Sequence, residues 1–272
     1  MRRTASGGIR EMKILIAGNS QAGCLKKAFD KTCKNKFSAI SAADWIVVPG
    51  GNGPNLRIEN NKLNITGYDP RFPPRMSPNN DILANDINYY DSIIISALGY
   101  VDGGFYYDNK IATDTFFPIS SIERNHSNPN EYPISENCFK DVAMNRLNMH
   151  PGYSFYNQLR EVYKGTILVQ PFPMLSSKIK DRDDWHLAKL YKDPIAATHI
   201  LLDMKDNHLR TISNQKNTIL LPYPNQSWRL AGFTPSEYIL DSDYLHPNER
   251  YGELILVQIE ELLQLSQQTD DR

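Results

Sequence analysis

The chain has 272 residues and a mass of 31.1 kDa, a length that fits one α/β domain with long loops. Its 30 Lys and Arg side chains nearly balance 31 Asp and Glu side chains, which argues against a nucleic-acid partner and favours a small or neutral one. Three cysteines without Cys-x-x-Cys spacing argue against both a disulfide framework and a thiolate zinc site.

The sequence shows neither a candidate membrane span nor the pattern of a signal peptide. No apolar run approaches the roughly 20 residues that a membrane-spanning helix needs, and the basic opening residues precede no apolar signal-peptide core. We therefore expect a cytoplasmic protein without a membrane span. Regular patterning begins at Met12, so residues 1–11 are predicted to be a disordered leader. A single catalytic domain is predicted over residues 12–265, followed by a polar tail over residues 266–272.

Five short apolar runs mark the predicted strands. They cover residues 13–18, 44–51, 91–99, 165–173 and 217–224. Because the runs are continuous and rich in β-branched residues, they are typical of strands covered on both faces of a parallel sheet. Helical spacing follows the first run, precedes the fourth and fills the closing segment over residues 251–265. The sequence therefore predicts one doubly wound α/β domain with a mainly parallel sheet.

Two long segments, residues 52–80 and 103–137, are rich in Pro, Asn, Gly and Tyr and lack apolar periodicity. We expect loops there, either as plain insertions or as the walls of a binding site. Aromatic side chains would suit the faces of sugar rings or would bury the loops against the sheet. The aromatic residues in and near these segments are Tyr68, Tyr89, Tyr90, Tyr100, Phe105, Tyr106 and Tyr107, and Trp228 lies later in the chain.

A candidate nucleophile, Ser20, follows the first predicted strand in the turn Gly18-Asn19-Ser20-Gln21. Such a turn projects a side chain from the carboxyl edge of the sheet, beside a helix N-terminus whose N–H groups stabilise an oxyanion. The alternative is that Ser20 only caps the helix.

A candidate base lies near the other end of the chain, in the segment Asp243-Tyr244-Leu245-His246-Pro247. Serine needs a base within hydrogen-bonding reach, and histidine needs an acceptor that fixes its tautomer. Asp243 and His246 can supply both on a bent loop. Alone, the segment could equally hold a turn-capping aspartate and a surface histidine.

Together, the Gly-x-Ser turn after the first strand and the Asp-x-x-His-Pro segment before the last helix resemble the SGNH, or GDSL-type, hydrolases. The resemblance runs from Lys13 to the closing helix, although the first block reads Gly-Asn-Ser instead of Gly-Asp-Ser. It implies a three-layer α/β/α sandwich, with Ser20 as nucleophile, His246 as general base and Asp243 as its orienting partner. It also implies ester hydrolysis through an acyl-serine. No cofactor is predicted.

The oxyanion-hole blocks of that family match less closely. A glycine after the second strand is matched by Gly50 or Gly51, and one of their N–H groups could face the oxyanion. After the third strand the family has Gly-x-Asn, whereas here Gly99 is followed by Tyr100 and Val101. The loss of one such donor typically costs about 2.7 to 4 kcal/mol of transition-state stabilisation. Asn52 is the candidate substitute, unless it is only a turn residue.

The opening turn is also similar to the Gly-Asn-Cys-Gln turn of capsular-polysaccharide acetyltransferases that bind coenzyme A, with Ser20 in the cysteine position. Three functions therefore stay open. The first is an ester hydrolase acting on a small-molecule or glycan ester. The second is a polysaccharide O-acetyltransferase with acetyl-coenzyme A as cosubstrate, and the third is a catalytically silent sugar-binding or scaffold protein.

Other motifs match poorly. The glycines at positions 18 and 23 have P-loop spacing without the Lys and Ser or Thr that should follow, and Ala22 replaces the second glycine of an α/β-hydrolase elbow. The segment at residues 50–55 lacks the third glycine of a dinucleotide fingerprint. The histidines other than His246 show no zinc-ligand spacing, and Asp241-Ser242-Asp243 is a frequent tripeptide, so no metal site is predicted.

Overall fold

The computed structural model describes most of the predicted core. The described residues are 12–32, 36–48, 55–67, 70–71, 73–76, 82–96, 115–118, 131–135, separate positions between 137 and 148, 151–181, 206, 210–241 and 243–270. The predicted leader at residues 1–11 lies outside them. So do the predicted oxyanion residues Gly51, Asn52 and Gly99.

The secondary structure follows the predicted alternation of strands and helices. The strands are β1 (Ile14–Gly18), β2 (Asp44–Val47), β3 (Asn55–Glu59), β4 (Lys62–Thr66), β5 (Arg75–Met76), β6 (Ser92–Ser96), β7 (Thr115–Pro118), β8 (Glu131–Ile134), β9 (Thr166–Gln170) and β10 (Thr218–Leu220). The helices are α1 (Ala22–Thr32), α2 (Pro151–Val162), α3 (Gln226–Ala231) and α4 (Glu249–Asp270). Short 3-10 helices lie at Ile87–Tyr89, Ser177–Asp181 and Ser236–Tyr238.

The main sheet has the strand order β10-β9-β6-β1-β2-β5. The five strands that the sequence predicts are β1, β2, β6, β9 and β10, and they pair in parallel, whereas β5 pairs antiparallel with β2 at one end. If the five parallel strands are numbered by their position in the chain, their order across the sheet is 2-1-3-4-5. The strand order reverses between β1 and β6, and ligands of such sheets bind at the carboxyl ends of the strands beside that reversal.

Helices cover both faces of this sheet. Alternate residues of β1 point to opposite faces: Leu15 belongs to the core under α2, and Ile16 belongs to the core under α1 and α4. Both residues are fully buried, as expected of a strand between two layers. The predicted three-layer α/β/α sandwich with a mainly parallel sheet is confirmed.

The expectation of loops throughout residues 52–80 is wrong, because this segment contains a β-hairpin formed by β3 and β4. Its turn residues, Asn60 and Asn61, have φ values of 53° and 60°, the left-handed conformation that two-residue hairpin turns need and that Asn tolerates. The hairpin packs on α2, where the Ile58 N–H donates to Gln158 Oε1 at 3.1 Å. The segment at residues 103–137 likewise contains β7 and β8, which pair in parallel.

The closing helix α4 packs closely against α1. Gly252 lies where the two helices meet, and a Cβ at this position would overlap the Cys24 carbonyl oxygen. The glycine thus allows α4, which begins at Glu249, to approach α1 closely. The helix continues to Asp270, beyond the predicted domain end at residue 265, since Gln and Ser do not break helices.

Candidate active site

The turn that carries Ser20 is shaped by its two preceding residues. Gly18 ends β1 beside Ser96 of β6, and a Cβ on Gly18 would overlap the Ser96 carbonyl oxygen. The Asn19 side chain then accepts a hydrogen bond from the Gln21 N–H at 2.9 Å. The local cap before α1 is therefore formed by Asn19, which leaves the hydroxyl of Ser20 available for another partner.

That partner is His246. Ser20 Oγ lies 3.2 Å from His246 Nε2, although 226 residues separate the two in the chain. Ser20 is half-buried at the N-terminal end of α1, where the Ala22 N–H donates to the Asn19 carbonyl at 2.9 Å and the Gly23 N–H to the Ser20 carbonyl at 3.0 Å. The hydroxyl thus lies next to both a basic nitrogen and the positive end of a helix dipole.

The loop that carries His246 is a compact turn held by backbone hydrogen bonds. Ile239 and Pro247 form an antiparallel bridge, and the Leu240 N–H donates to the His246 carbonyl at 3.0 Å. Asn248 closes the loop by donating its side-chain amide to the Glu237 carbonyl at 2.8 Å. His246 is therefore held on a hydrogen-bonded loop immediately before α4.

Asp243 uses both carboxylate oxygens within this loop. Oδ1 accepts the N–H groups of Tyr244 and Leu245 at 2.7 Å and of His246 at 3.2 Å, and Oδ2 lies 2.6 Å from His246 Nδ1. Burial opposes ionisation of Asp243, but the hydrogen bonds from the Leu245 N–H and the His246 ring outweigh it and hold the pKa below its ordinary value. The carboxylate is therefore ionised at neutral pH and orients the imidazole.

The three residues form a continuous hydrogen-bonded chain from Ser20 through His246 to Asp243. In the tautomer that this chain favours, Nδ1–H donates to Asp243 and Nε2 accepts from the serine hydroxyl. Such an arrangement can remove the serine proton as the oxygen attacks a carbonyl. The structure brings together the three residues that the sequence singled out, while Gly51, Asn52 and Gly99 lie outside the described residues.

The side chain of Gln21 makes a further polar contact at this site, one that the sequence did not predict. Its side chain is 1% exposed and donates to the Leu245 carbonyl at 3.3 Å. The only sequence signal was an amide directly after the candidate nucleophile. The contact itself joins segments 224 residues apart, so local patterning could not reveal it.

The described residues contain no group of three His, Cys, Asp or Glu side chains that could hold a metal ion. Among the described helices, none combines the length and the apolarity that crossing a bilayer requires.

Comparison with known proteins gives structural neighbours only. No protein-family model matches the sequence, and no curated protein matches it. A DUF4886 family protein from Bacteroides uniformis shares 12% identity with a TM-score of 0.41, and the match covers 93% of this chain and 82% of that one.

Two further structures are similar over nearly their whole length. A protein from Slackia heliotrinireducens that is proposed to be an SGNH hydrolase has 12% identity and a TM-score of 0.40, with 93% of this chain and 98% of that chain covered. A carbohydrate esterase family 3 protein from Talaromyces cellulolyticus has 12% identity and a TM-score of 0.36, with 95% and 99% covered. All three likenesses are distant, so the chemistry is argued from the site itself.

Proposed function

We propose that the chain is an SGNH-type ester hydrolase in which Ser20, His246 and Asp243 act as the catalytic triad. The observation that carries the proposal is the pair of contacts at His246: Nε2 lies 3.2 Å from Ser20 Oγ, and Nδ1 lies 2.6 Å from Asp243 Oδ2. Serine is a weak nucleophile without a base in reach, and this geometry supplies the base together with the group that orients it.

In the proposed reaction, Ser20 Oγ attacks the ester carbonyl while His246 Nε2 takes the hydroxyl proton. The imidazolium then gives this proton to the departing alcohol, which leaves an acyl-serine. Water repeats the sequence, with His246 as base, and releases the acid. Asp243 stays ionised throughout and stabilises the imidazolium, a role that its lowered pKa supports.

The negative oxygen of the tetrahedral intermediate needs donors near Ser20. The positive end of the α1 dipole lies beside Ser20 and favours a negative oxygen there. The N–H groups of Gln21, Ala22 and Gly23 already donate to the Asn19 side chain and to the Asn19 and Ser20 carbonyls, so the donors are expected elsewhere in the site. Gly51, Asn52 and Gly99 stay predictions for these donors and for substrate binding. We further propose that the catalytic domain spans residues 12–265 and acts in the cytoplasm.

For the substrate we propose an acylated carbohydrate or a similar small ester. The support is the aromatic residues of the long segments, Tyr68, Phe105, Tyr106 and Tyr107, whose ring faces suit sugars. Tyr90 and Trp228 give no such support, because both are buried in the hydrophobic cores. The resemblance of the opening turn to capsular-polysaccharide acetyltransferases supports a second candidate, transfer of an acetyl group from acetyl-coenzyme A to a sugar. The two reactions share the acyl-serine and differ in whether water or a sugar hydroxyl receives the acyl group.

A hydrolysis assay with p-nitrophenyl acetate tests the proposal. Ser20→Ala and His246→Ala should each reduce the enzymatic rate close to that of buffer, while Ser227→Ala, an exposed serine of α3, should keep it. Wild-type activity in both active-site variants would refute the hydrolase. Acetyl transfer from acetyl-coenzyme A to a sugar without matching hydrolysis would favour the acetyltransferase, and neither activity would favour the silent binding protein.

A further inference from the structure

We propose that Gln21 is a positioning residue that fixes the distance between Ser20 and His246. Its side-chain Nε2 donates to the Leu245 carbonyl at 3.3 Å. Gln21 directly follows Ser20, and Leu245 directly precedes His246. The hydrogen bond therefore links the turn after β1 to the loop before α4 within one residue of each partner. This inference rests on the proposed triad, in which the Ser20 to His246 distance decides whether the proton can transfer.

Both ends of this link are held by further hydrogen bonds. On the loop side, the Leu245 N–H donates to Asp243 Oδ1 at 2.7 Å, so Leu245 is held through its N–H by Asp243 and through its carbonyl by Gln21. On the turn side, the Gln21 N–H donates to Asn19 Oδ1 at 2.9 Å. The Gln21 side chain therefore couples the position of the turn after β1 to the position of the loop before α4.

The burial of the Gln21 amide oxygen, Oε1, supports a role of this side chain beyond stability. The side chain is 1% exposed, and Oε1 has no hydrogen-bond partner among the described residues. A buried amide oxygen without a donor is unfavourable, and an apolar side chain of similar volume would avoid that cost. Stability alone therefore does not favour glutamine at position 21, whereas the Nε2 donor is the group that reaches the His246 loop.

Gln21→Met tests this role, because methionine has a similar volume and lacks the donor. Gln258 of α4 offers a matched control: its Oε1 is also buried without a partner among the described residues, so Gln258→Met should change stability in the same manner. Gln21→Met removes the unpaired Oε1 but also the hydrogen bond to the Leu245 carbonyl, and these effects oppose each other, so the melting temperatures of both variants should stay close to that of the wild type. The crystal structure of each variant and its steady-state kinetics with p-nitrophenyl acetate are then compared with those of the wild type.

In Gln21→Met, we expect the Ser20 Oγ to His246 Nε2 distance to exceed about 3.5 Å, beyond hydrogen-bonding range. We expect kcat to fall roughly 10- to 100-fold, since small misplacements of reacting groups cost rates of this order. KM should stay within about twofold of the wild-type value, as no substrate contact is removed. Gln258→Met should match the wild type in both measurements.

The inference fails if Gln21→Met keeps the wild-type distance, or if it lengthens the distance without lowering kcat in an enzyme whose activity depends on Ser20. Failure of the proposed function gives a different result, in which Ser20→Ala is as active as the wild type. In that case the crystallographic distance alone decides the role of Gln21, because it does not depend on turnover.

Discussion

His246 Nδ1 lies 2.6 Å from Asp243 Oδ2. The other carboxylate oxygen, Oδ1, accepts hydrogen bonds from the backbone N–H groups of Tyr244 and Leu245 in the same loop. Asp243 therefore makes two sets of contacts, and in the proposed triad their effects can be separated by experiment. It orders the loop through Oδ1, and it sets the tautomer of the imidazole through Oδ2. The first set of contacts affects stability, and the second affects the ability of Nε2 to accept the Ser20 proton.

Replacing Asp243 with Asn should reduce kcat by about 10⁴-fold, a cost known for this change in a serine triad. An amide that donates to Nδ1 would favour the tautomer with a proton on Nε2, which cannot accept the Ser20 proton. KM should change little. Steady-state kinetics with p-nitrophenyl acetate measure both constants, and Asp241→Asn, an exposed carboxylate two residues earlier, is the control. Comparable kcat values for the two variants would rule out the assigned role of Asp243.

The contribution of Asp243 to stability should depend on pH. Its pKa in the folded chain lies below the ordinary value of 3.8. Stabilisation by the ionised carboxylate is therefore fully present above the unfolded pKa, and it is lost as the pH falls through the lower, folded pKa. The difference in the free energy of unfolding between wild type and Asp243→Asn should be constant well above pH 3.8 and should shrink as the pH falls below it. Urea denaturation at a series of pH values measures it, and a difference independent of pH would contradict the expectation.

Gly18 and Gly23 form a matched pair on either side of Ser20. A Cβ on Gly18 would overlap the Ser96 carbonyl oxygen, whereas a Cβ on Gly23 would come no closer than 3.9 Å to Val47 Cγ1. Gly18→Ala should therefore destabilise the chain by about 1 to 3 kcal/mol and lower kcat by displacing the Ser20 turn. Gly23→Ala, within α1, should be neutral or stabilising by up to about 1 kcal/mol. Urea denaturation compares the two, and equal effects would show that the approach of β6 does not constrain Gly18.

The sequence predicted the strands of the main sheet because each is a continuous apolar run, a local signal that tertiary contacts reinforce. Their order in the sheet is not local. The site lies where β1 and β6 are adjacent. This adjacency depends on pairing between residues far apart in the chain, such as Ile14 and Ser92, which are 78 positions apart. The hairpin of β3 and β4 did have a local signal, the Asn60-Asn61 turn between short alternating segments, but its strands are only five residues long.

The candidate triad could be predicted because a nucleophile needs a base and the base needs an orienting acceptor. The resemblance of the two segments to blocks of the SGNH hydrolases then implied the three roles. The contact between Gln21 and Leu245 could not be predicted in the same way. A glutamine can lie in almost any environment, and only the folded chain shows that its amide is buried beside the His246 loop. The close approach of Gly252 to Cys24 is likewise a packing relationship between distant segments.

Covalent labelling with a fluorophosphonate tests the central claim most directly, because the oxygen of an activated serine displaces fluoride from phosphorus and forms a stable adduct. Peptide mapping by mass spectrometry should locate the adduct on Ser20 in the wild type. Labelling should be absent in Ser20→Ala and much slower in His246→Ala, whose serine lacks the base 3.2 Å away. An adduct on another residue, or ester hydrolysis that continues in fully labelled or Ser20→Ala protein, would contradict the assignment of Ser20 as the nucleophile.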